Sequence, residues 1–154
     1  MECALAVLRS LTRGGLTSAA RERTLVQQLM GNLGVKAANP SVPAETLSGG
    51  NQQKLVIGKW LATQPRVLIL DEPTRGVDVG AKAEVHKLVR RLADQGMATL
   101  LISSDLPEVL AMSDRIIVMR GGTIAGELSR REATQENVMS LAIPPAAPEA
   151  PEAA

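Results

Sequence analysis

Apolar residues recur at helical spacing near the start of the chain and predict two helices there. A short helix is expected over Cys3–Leu11, because the glycine pair at 14–15 interrupts the apolar pattern. Ser18 is a suitable N-cap for a second helix, and Gly34 is a suitable residue to end it. The apolar face of this second helix comprises Leu25, Leu29, Met30 and Leu33.

The next part of the chain changes from a loop to a helix. Val35–Thr46 contains two prolines and is expected to be a loop, whereas a third helix is predicted over Asn51–Thr63. A loop that leads into a helix is a favourable place for an anion, because the first backbone N–H groups lack partners within the helix. The residues predicted for burial in this helix are Leu55, Ile57, Trp60 and Leu61.

After Pro65, short apolar runs alternate with amphipathic segments, which indicates an α/β fold with a mostly parallel sheet. Val67–Leu70 and Ala98–Ile102 are rich in leucine and β-branched residues, and both are predicted to be buried strands. The glycine pair at 121–122 predicts a two-residue hairpin turn. The remaining predicted elements are helices Val79–Gln95, Leu106–Met112 and Glu136–Ala142 and strands Arg115–Met119 and Thr123–Leu128.

Composition narrows the classes of partner. The length of 154 residues suits one globular domain, and the 17 basic and 16 acidic residues nearly balance, which argues against a nucleic-acid partner. Cys3 is the only cysteine, so a reducing, cytoplasmic setting is expected. No apolar stretch is long enough to span a membrane, so a spanning part would belong to another subunit. Residues 143–154 are almost only Pro, Ala and Glu, and we expect this tail to be disordered.

Two carboxylates directly follow the predicted strand Val67–Leu70. Asp71 and Glu72 therefore stand at the carboxyl end of a strand, where ligands bind in open α/β sheets. The run resembles a Walker B motif, and this resemblance implies that Asp71 would hold Mg²⁺ through water and that Glu72 would orient an attacking water, as phosphoryl transfer requires. Taken alone, the same residues also suit a strand followed by an acidic turn.

The run from Leu47 to Lys54, LSGGNQQK, leads into the third predicted helix. It resembles the LSGGQ signature of ABC ATPases, and the acidic pair after the strand resembles their Walker B motif. Ser48 offers a hydroxyl, and the lack of side chains at Gly49 and Gly50 lets a phosphate approach the backbone. The resemblance adds Asn51 and Gln52 to the residues expected to bind ATP. Without it, the segment also suits an ordinary Ser-capped helix start.

Two further positions follow from this resemblance. The run from Pro73 to Gly80, PTRGVDVG, resembles the D-loop, so Asp78 would lie at the seam between two ATPase domains; a helix N-cap is its simpler role. In most ABC ATPases a switch histidine follows the next strand, and Ser104 stands at that position. Serine donates a hydrogen bond but carries no imidazole charge, which puts hydrolysis at this site in doubt.

The sequence from the signature to Ser-Ser-Asp-Leu-Pro-Glu-Val-Leu is similar to the second ATPase domain of tandem importers of ribose, xylose and rhamnose. The resemblance implies part of a RecA-like P-loop NTPase domain: residues 1–47 from the helical subdomain, and residues 48–142 from the signature helix, the Walker B strand and the end of the core. No Gly-rich loop ending in Gly-Lys-Ser/Thr occurs. The resemblance therefore implies an N-terminally truncated domain that lacks the Walker A strand and loop.

By this resemblance, the function is ATP binding and hydrolysis, with ATP and Mg²⁺ as cofactors, to drive monosaccharide uptake. The expected partners are a first ATPase domain or subunit, a membrane permease and, indirectly, a periplasmic sugar-binding protein. The expected location is the cytoplasmic face of the cell membrane. Three alternatives stay open: a non-catalytic fragment, a half-site that supplies its signature to a partner, and an ABC ATPase of DNA repair or translation.

Overall fold

The computed structural model describes residues 12–13, 16–36, 39 and 42–144. The helix predicted over Cys3–Leu11 lies outside the described residues, as do residues 145–154 of the predicted disordered tail. The helices are α1 Ala19–Leu33, α2 Gly49–Leu61, α3 Val79–Asp94, α4 Leu106–Met112 and α5 Gln135–Ala142, with a 3₁₀ turn at Ala44–Thr46. The strands are β1 Thr12–Arg13, β2 Leu16–Thr17, β3 Val67–Asp71, β4 Ala98–Ile102, β5 Arg115–Arg120 and β6 Thr123–Ser129.

Contacts divide the chain into two compact units, Met1–Ile102 and Ser103–Ala154, where its length suggested one. The described strands pair as β1 with β2, β3 with β4, and β5 with β6, so no described pairing joins a strand of one unit to a strand of the other. The β3–β4 pair is parallel and the other two pairs are antiparallel. The α/β class is confirmed, with parallel pairing confined to β3–β4 among the described strands.

The ends of α1 are those that the sequence predicts. The Ser18 hydroxyl accepts a hydrogen bond from the backbone N–H of Arg21 at 3.5 Å, which caps the first turn. Gly34 ends the helix with φ of 61°, a left-handed conformation that costs a glycine little. The β1–β2 pair just before this helix was not predicted, because each of its strands has only two residues.

Helix α2 begins at Gly49, two residues before the predicted start. Ile57 is 1% exposed as predicted, but Trp60 is 54% exposed, so its predicted burial is wrong. Hydrophobicity does not predict which residues of this helix are buried, because they are two glycines, a lysine and an isoleucine. An added Cβ on Gly58 would lie 2.4 Å from Leu33 Cδ1, so the glycine brings α1 close and leaves the indole outside. The buried residues of α2 are Gly50, Lys54, Ile57 and Gly58.

Strands β3 and β4 pair in register from Val67 with Ala98 to Asp71 with Ile102. The two strands were predicted to be buried, but each is covered on one face only. Leu70 is 7% exposed while its neighbour Ile69 is 63% exposed, and the residues of β4 alternate in the same way. Helix α3 packs against β4, whereas Ile69 and Leu100 are exposed.

The second unit is the β5–β6 hairpin packed against helices. Gly121 and Gly122 both have positive φ, 56° and 80°, as a two-residue hairpin turn requires, so the predicted hairpin is confirmed. Gly126 on β6 permits close packing of α5, because an added Cβ would lie 2.8 Å from Leu141 Cδ1. The core of this unit comprises Ile116, Val118 and Val138. Throughout the part of the chain that the structure describes, the helices are too short or too polar to traverse a lipid bilayer.

Candidate functional site

Ser48 and Asn51 form a hydrogen-bonded corner at the start of α2. Ser48 precedes the helix in an extended conformation and is exposed, and its hydroxyl makes no capping bond to the helix backbone. The Asn51 amide donates to Ser48 Oγ at 2.9 Å, while Asn51 Oδ1 accepts from the backbone N–H of Lys36 at 2.9 Å. Asn51 therefore fixes the Ser48 oxygen, and the Ser48 O–H keeps its proton for donation to a ligand.

The two glycines of the signature run have different surroundings. Gly49 is exposed, and a Cβ built on it would meet no atom within 4 Å, so a ligand can approach the backbone there. Gly50 is buried, and its Cβ would lie 2.4 Å from the Cβ of Ala81 on α3. The sequence predicted phosphate contact for both glycines. The geometry offers Gly49 for that role and gives Gly50 a packing role as well.

Gln52 folds back onto the loop that precedes α2. Its side-chain amide donates to the Leu47 carbonyl at 2.8 Å and to the Glu45 carbonyl at 3.5 Å. These bonds close the loop against the first turn of the helix. A direct contact of Gln52 with ATP stays a prediction, since in this conformation the side chain supports the loop.

Asp71 and Glu72 lie at the carboxyl end of β3. Asp71 is exposed as the last residue of the strand. Glu72 follows with φ of 48°, a left-handed conformation that costs a residue with a Cβ about 1–2 kcal/mol. Its backbone N–H donates to the Ile102 carbonyl at 2.8 Å, so the end of β4 holds Glu72 in place. Strained backbone that neighbouring structure maintains is typical of functional positions.

The carboxylates at the end of β3 fit a magnesium ion held together with phosphate. The described residues contain no group of three or more His, Cys, Asp or Glu side chains that would enclose a metal. Mg²⁺ does not require such a cage, because it retains several waters and binds through one or two carboxylates plus substrate phosphates. The exposed carboxylate of Asp71 is the group that would bind it here.

Asp78 caps helix α3. Its Oδ1 accepts a hydrogen bond from the Ala81 N–H at 2.9 Å, which confirms the simpler of the two roles that the sequence suggested. Ala81 is also the residue against which Gly50 packs. The signature helix is therefore in contact with the turn that Asp78 caps. A role for Asp78 between two ATPase domains stays a prediction.

Ser104, at the expected switch position, lies in the second unit and is exposed on a short, otherwise half-buried loop before α4. The loop is shaped by its neighbours: Ser103 Oγ donates to Glu108 Oε2 at 2.6 Å and accepts from the Asp105 N–H at 3.1 Å. Glu108 is 2% exposed, and sequence reasoning did not single it out. A carboxylate five residues after a serine is a weak signal in a sequence.

Sequence reasoning also missed the ion pair between Lys54 and Glu84. Lys54 is 5% exposed, and its ammonium lies 2.6 Å from Glu84 Oε2. The hydrogen bond and charge of Lys54 lower the pKa of Glu84 below its ordinary value of 4.5. The sequence offered a signal only for the burial of Lys54, which lies one helical turn after Gly50 on the same face of α2.

The described contacts thus group the predicted site residues in three places. Ser48, Gly49 and Asn51 meet at the start of α2, and Asp78 contacts the same region through Ala81. The second group is Asp71 with Glu72 at the end of β3. Ser104 belongs to the other compact unit.

A family model described as ABC transporter matches residues 5–75. The fold is similar to that of MJ1267 in its ADP conformation, an ATP-binding cassette of an ABC transporter: the TM-score is 0.68 and the identity 26%, over 82% of this chain and 50% of that one. The dimeric cassette MJ0796 shares the fold at a TM-score of 0.66 and 23% identity, over 80% of this chain and 53% of that one. The chain is part of an ABC transporter ATP-binding domain.

Among curated relatives, the chain is 56% identical to the ribose import ATP-binding protein RbsA 1 of Streptomyces avermitilis over 139 residues, which is 90% of this chain and 27% of that protein. It is 54% identical to the ribose import ATP-binding protein RbsA of Bacillus subtilis, over 90% of this chain and 28% of that protein. The chain therefore spans little more than a quarter of the length of these relatives.

Proposed function

We propose that this chain belongs to the ATP-hydrolysing component of a monosaccharide importer and supplies the signature half of an ATP site. Relatives that are more than half identical over nine-tenths of the chain are ribose import ATP-binding proteins, which favours ribose or a similar sugar as the cargo. In the ABC ATPases that the chain resembles, the signature of one ATPase domain closes over ATP that the phosphate loop of a second domain holds. Ser48 and Gly49 are the residues that would contact that phosphate.

The observation that carries this proposal is the open helix start at Gly49. The first N–H groups of α2 have no partners within the helix, and the positive end of the helix dipole favours an anion there. Gly49 leaves this backbone accessible, and Asn51 holds the Ser48 hydroxyl beside it. A phosphate group can therefore accept hydrogen bonds from backbone and hydroxyl together.

The second set of residues belongs to a different ATP site. Asp71 would bind Mg²⁺ with the nucleotide phosphates, and Glu72 would orient the attacking water. The 154 residues contain no Gly-Lys-Ser/Thr loop, so the phosphate loop of this site has to come from sequence outside them. Ser104 in place of a histidine makes this the weaker site, because serine cannot supply the charge of an imidazolium.

The proposed assembly includes a first ATPase domain or subunit, a membrane permease and a periplasmic sugar-binding protein. The chain would act at the cytoplasmic face of the membrane, where ATP is available. The 154 residues by themselves are expected to hydrolyse little ATP, because most donors to the β- and γ-phosphates belong to the phosphate loop. We therefore expect the 154 residues to contribute to an ATP site that they share with a second ATPase domain. The alternative is that they form an inert fragment.

Two substitutions compared in the same assay test whether the signature of this chain serves the active ATP site while the site of Asp71 and Glu72 is the weaker one. The chain is mixed with an intact ABC ATPase domain, and ATP hydrolysis is measured. Ser48→Arg places a bulky side chain at the signature and should abolish the activity that the mixture gains. Glu72→Gln affects only the weaker site and should leave most of the gained activity. The opposite pattern, with Glu72→Gln inactive and Ser48→Arg active, would refute the proposal.

A further inference from the structure

Lys54 is a buried cation at the meeting point of three helices. Its ammonium donates to Glu84 Oε2 on α3 at 2.6 Å and to the carbonyl of Gly34, the residue that ends α1, at 3.2 Å. The Lys54 side chain is 6% exposed, whereas that of Glu84 is 47% exposed. A buried ammonium is stable only when its charge and its donors have partners, so the position of Lys54 depends on both contacts.

The Lys54–Glu84 pair lies one turn beyond the contact between Gly50 and Ala81. From Gly50 to Lys54 the chain advances four residues along α2, and from Ala81 to Glu84 it advances three residues along α3. Both contacts therefore occur in the same order along the two helices. The first turns of the two helices therefore lie side by side at this interface.

The two adjacent helix starts carry different parts of the proposed site. The signature residues Ser48 and Gly49 begin α2, and Asp78 caps α3. The Gly50–Ala81 contact is apolar and has no direction of its own, so it leaves sliding or rotation of one helix against the other weakly opposed. A charged hydrogen bond has a narrow range of distance and angle and opposes both motions.

The charges around Glu84 favour the ionised form of its carboxyl group. Lys36 and Lys87 also act on the Glu84 carboxylate, and with Lys54 they lower its pKa, so Glu84 is ionised at neutral pH. The positive ends of two helix dipoles lie near each other at the first turns of α2 and α3. Glu84 lies one turn beyond these helix starts, where the dipole effect has fallen off, so the neighbouring lysines account for its lowered pKa.

We propose that Lys54 is a positioning residue that joins the signature loop to the Asp78 turn, so that both approach the nucleotide as one body. This inference rests on the function proposed above. Lys54 does not contact the nucleotide in this arrangement. It acts through α2 and α3, and its loss is expected to leave both helices folded with their first turns less well aligned.

The alignment can be measured directly by pulsed electron paramagnetic resonance on the full chain. In a Cys3→Ser background, spin labels are attached at Glu45→Cys, beside the signature, and at Val79→Cys, the first residue of α3. Both positions are exposed. We expect one narrow distance distribution with Lys54 present, a broader one in Lys54→Met, and recovery of the narrow one in Lys54→Arg.

The matched control for Lys54→Met is the same substitution at another lysine near this interface. Lys87 is exposed on α3 and lines the same cleft of about 320 Å³ as Lys54, so Lys87→Met removes a nearby cation without breaking the buried bonds. We expect the distribution of Lys87→Met to match that of the unsubstituted protein. If Lys54→Met does not fold by circular dichroism, Glu84→Gln replaces it. An unchanged distribution in the folded variant refutes the inference.

A second measurement separates this inference from the proposed function. With an intact ABC ATPase domain added, Lys54→Met should bind ATP-Mg²⁺ on the order of ten-fold more weakly than the unsubstituted chain, and Lys87→Met should bind it equally well. Equal affinity in Lys54→Met would refute the positioning role. If even the unsubstituted mixture shows no added binding, the proposed function fails, and the distance distributions still decide whether Lys54 aligns the two helices.

Discussion

A Cβ added to Gly50 would lie 2.4 Å from the Cβ of Ala81, so the signature helix α2 and the helix α3 are in contact where both begin. This contact brings the proposed phosphate-binding loop next to the turn that Asp78 caps. A glycine expected to be conformationally permissive for a ligand is therefore also required by the protein's own packing.

Gly50→Ala should lower the free energy of unfolding by about 1–3 kcal/mol, because the added methyl group overlaps Ala81. Urea unfolding followed by circular dichroism measures this change. Ala81→Gly in the same chain should recover part of the loss. Gly31→Ala is the control: Gly31 lies in the last turn of α1 and no atom lies within 4 Å of its added Cβ, so a gain of at most about 1 kcal/mol is expected. A neutral Gly50→Ala would contradict the packing described here.

Asp78→Ala should destabilise the chain by about 1 kcal/mol, because the Ala81 N–H loses the carboxylate that accepts its hydrogen bond at 2.9 Å. Asp78→Asn keeps an oxygen at the same place and should be close to neutral for stability. Chemical denaturation of the three proteins tests this. Equal losses for Ala and Asn would mean that the charge, and not the cap, is what stabilises the helix.

Sequence periodicity and capping predicted helix α1 and the β5–β6 hairpin well, because both signals are local. Ser18, Gly34 and the glycine pair at 121–122 each specify a conformation within a few residues of themselves, and the structure places α1 and the β5–β6 hairpin as those residues indicate. Burial depends on distant contacts. Trp60 is exposed because Gly58, which has no side chain to bury, is the residue that packs on Leu33.

The candidate site was predictable to the same extent. Motifs located Ser48, Asp71 and Asp78 at a helix start, a strand end and a helix cap, and the structure has these local settings. The partners that hold them are remote in sequence and carry no motif. Glu84 is thirty residues from Lys54, and nothing in the sequence joins the two.

The pKa of Glu84 gives a prediction of pH dependence. It lies below 4.5 because Lys54 donates a hydrogen bond to the carboxylate and attracts its charge. The native state therefore binds fewer protons at this residue than the unfolded chain does, and the stabilisation is present above pH 4.5 and lost as the pH falls through the lowered pKa. Titration of the carboxyl carbon by NMR should show the low pKa, and Lys54→Met should raise it. An unchanged pKa in Lys54→Met would contradict the ion pair.

The two faces of the β3–β4 sheet should respond differently to the same substitution. Leu68 is 4% exposed and Ile69 is 63% exposed. Leu68→Ala should lower the free energy of unfolding by about 2–5 kcal/mol through the cavity it leaves. Ile69→Ala should cost about 1 kcal/mol or less, mainly through strand propensity, and should reduce binding of a hydrophobic dye. Similar losses at both positions would show that the face of Ile69 is covered in the protein.

The shared site is tested most directly by equilibrium binding of ATP-Mg²⁺ to the purified chain. Binding is measured for the chain alone and for the chain mixed with an intact ABC ATPase domain, and the ATP binding of that domain by itself is subtracted. We predict no measurable binding by the chain alone and additional, tighter binding in the mixture, which Ser48→Arg removes. A mixture that binds ATP no better than the added domain by itself would contradict a signature supplied in trans, and the chain would then be an inert part of an ABC ATPase domain.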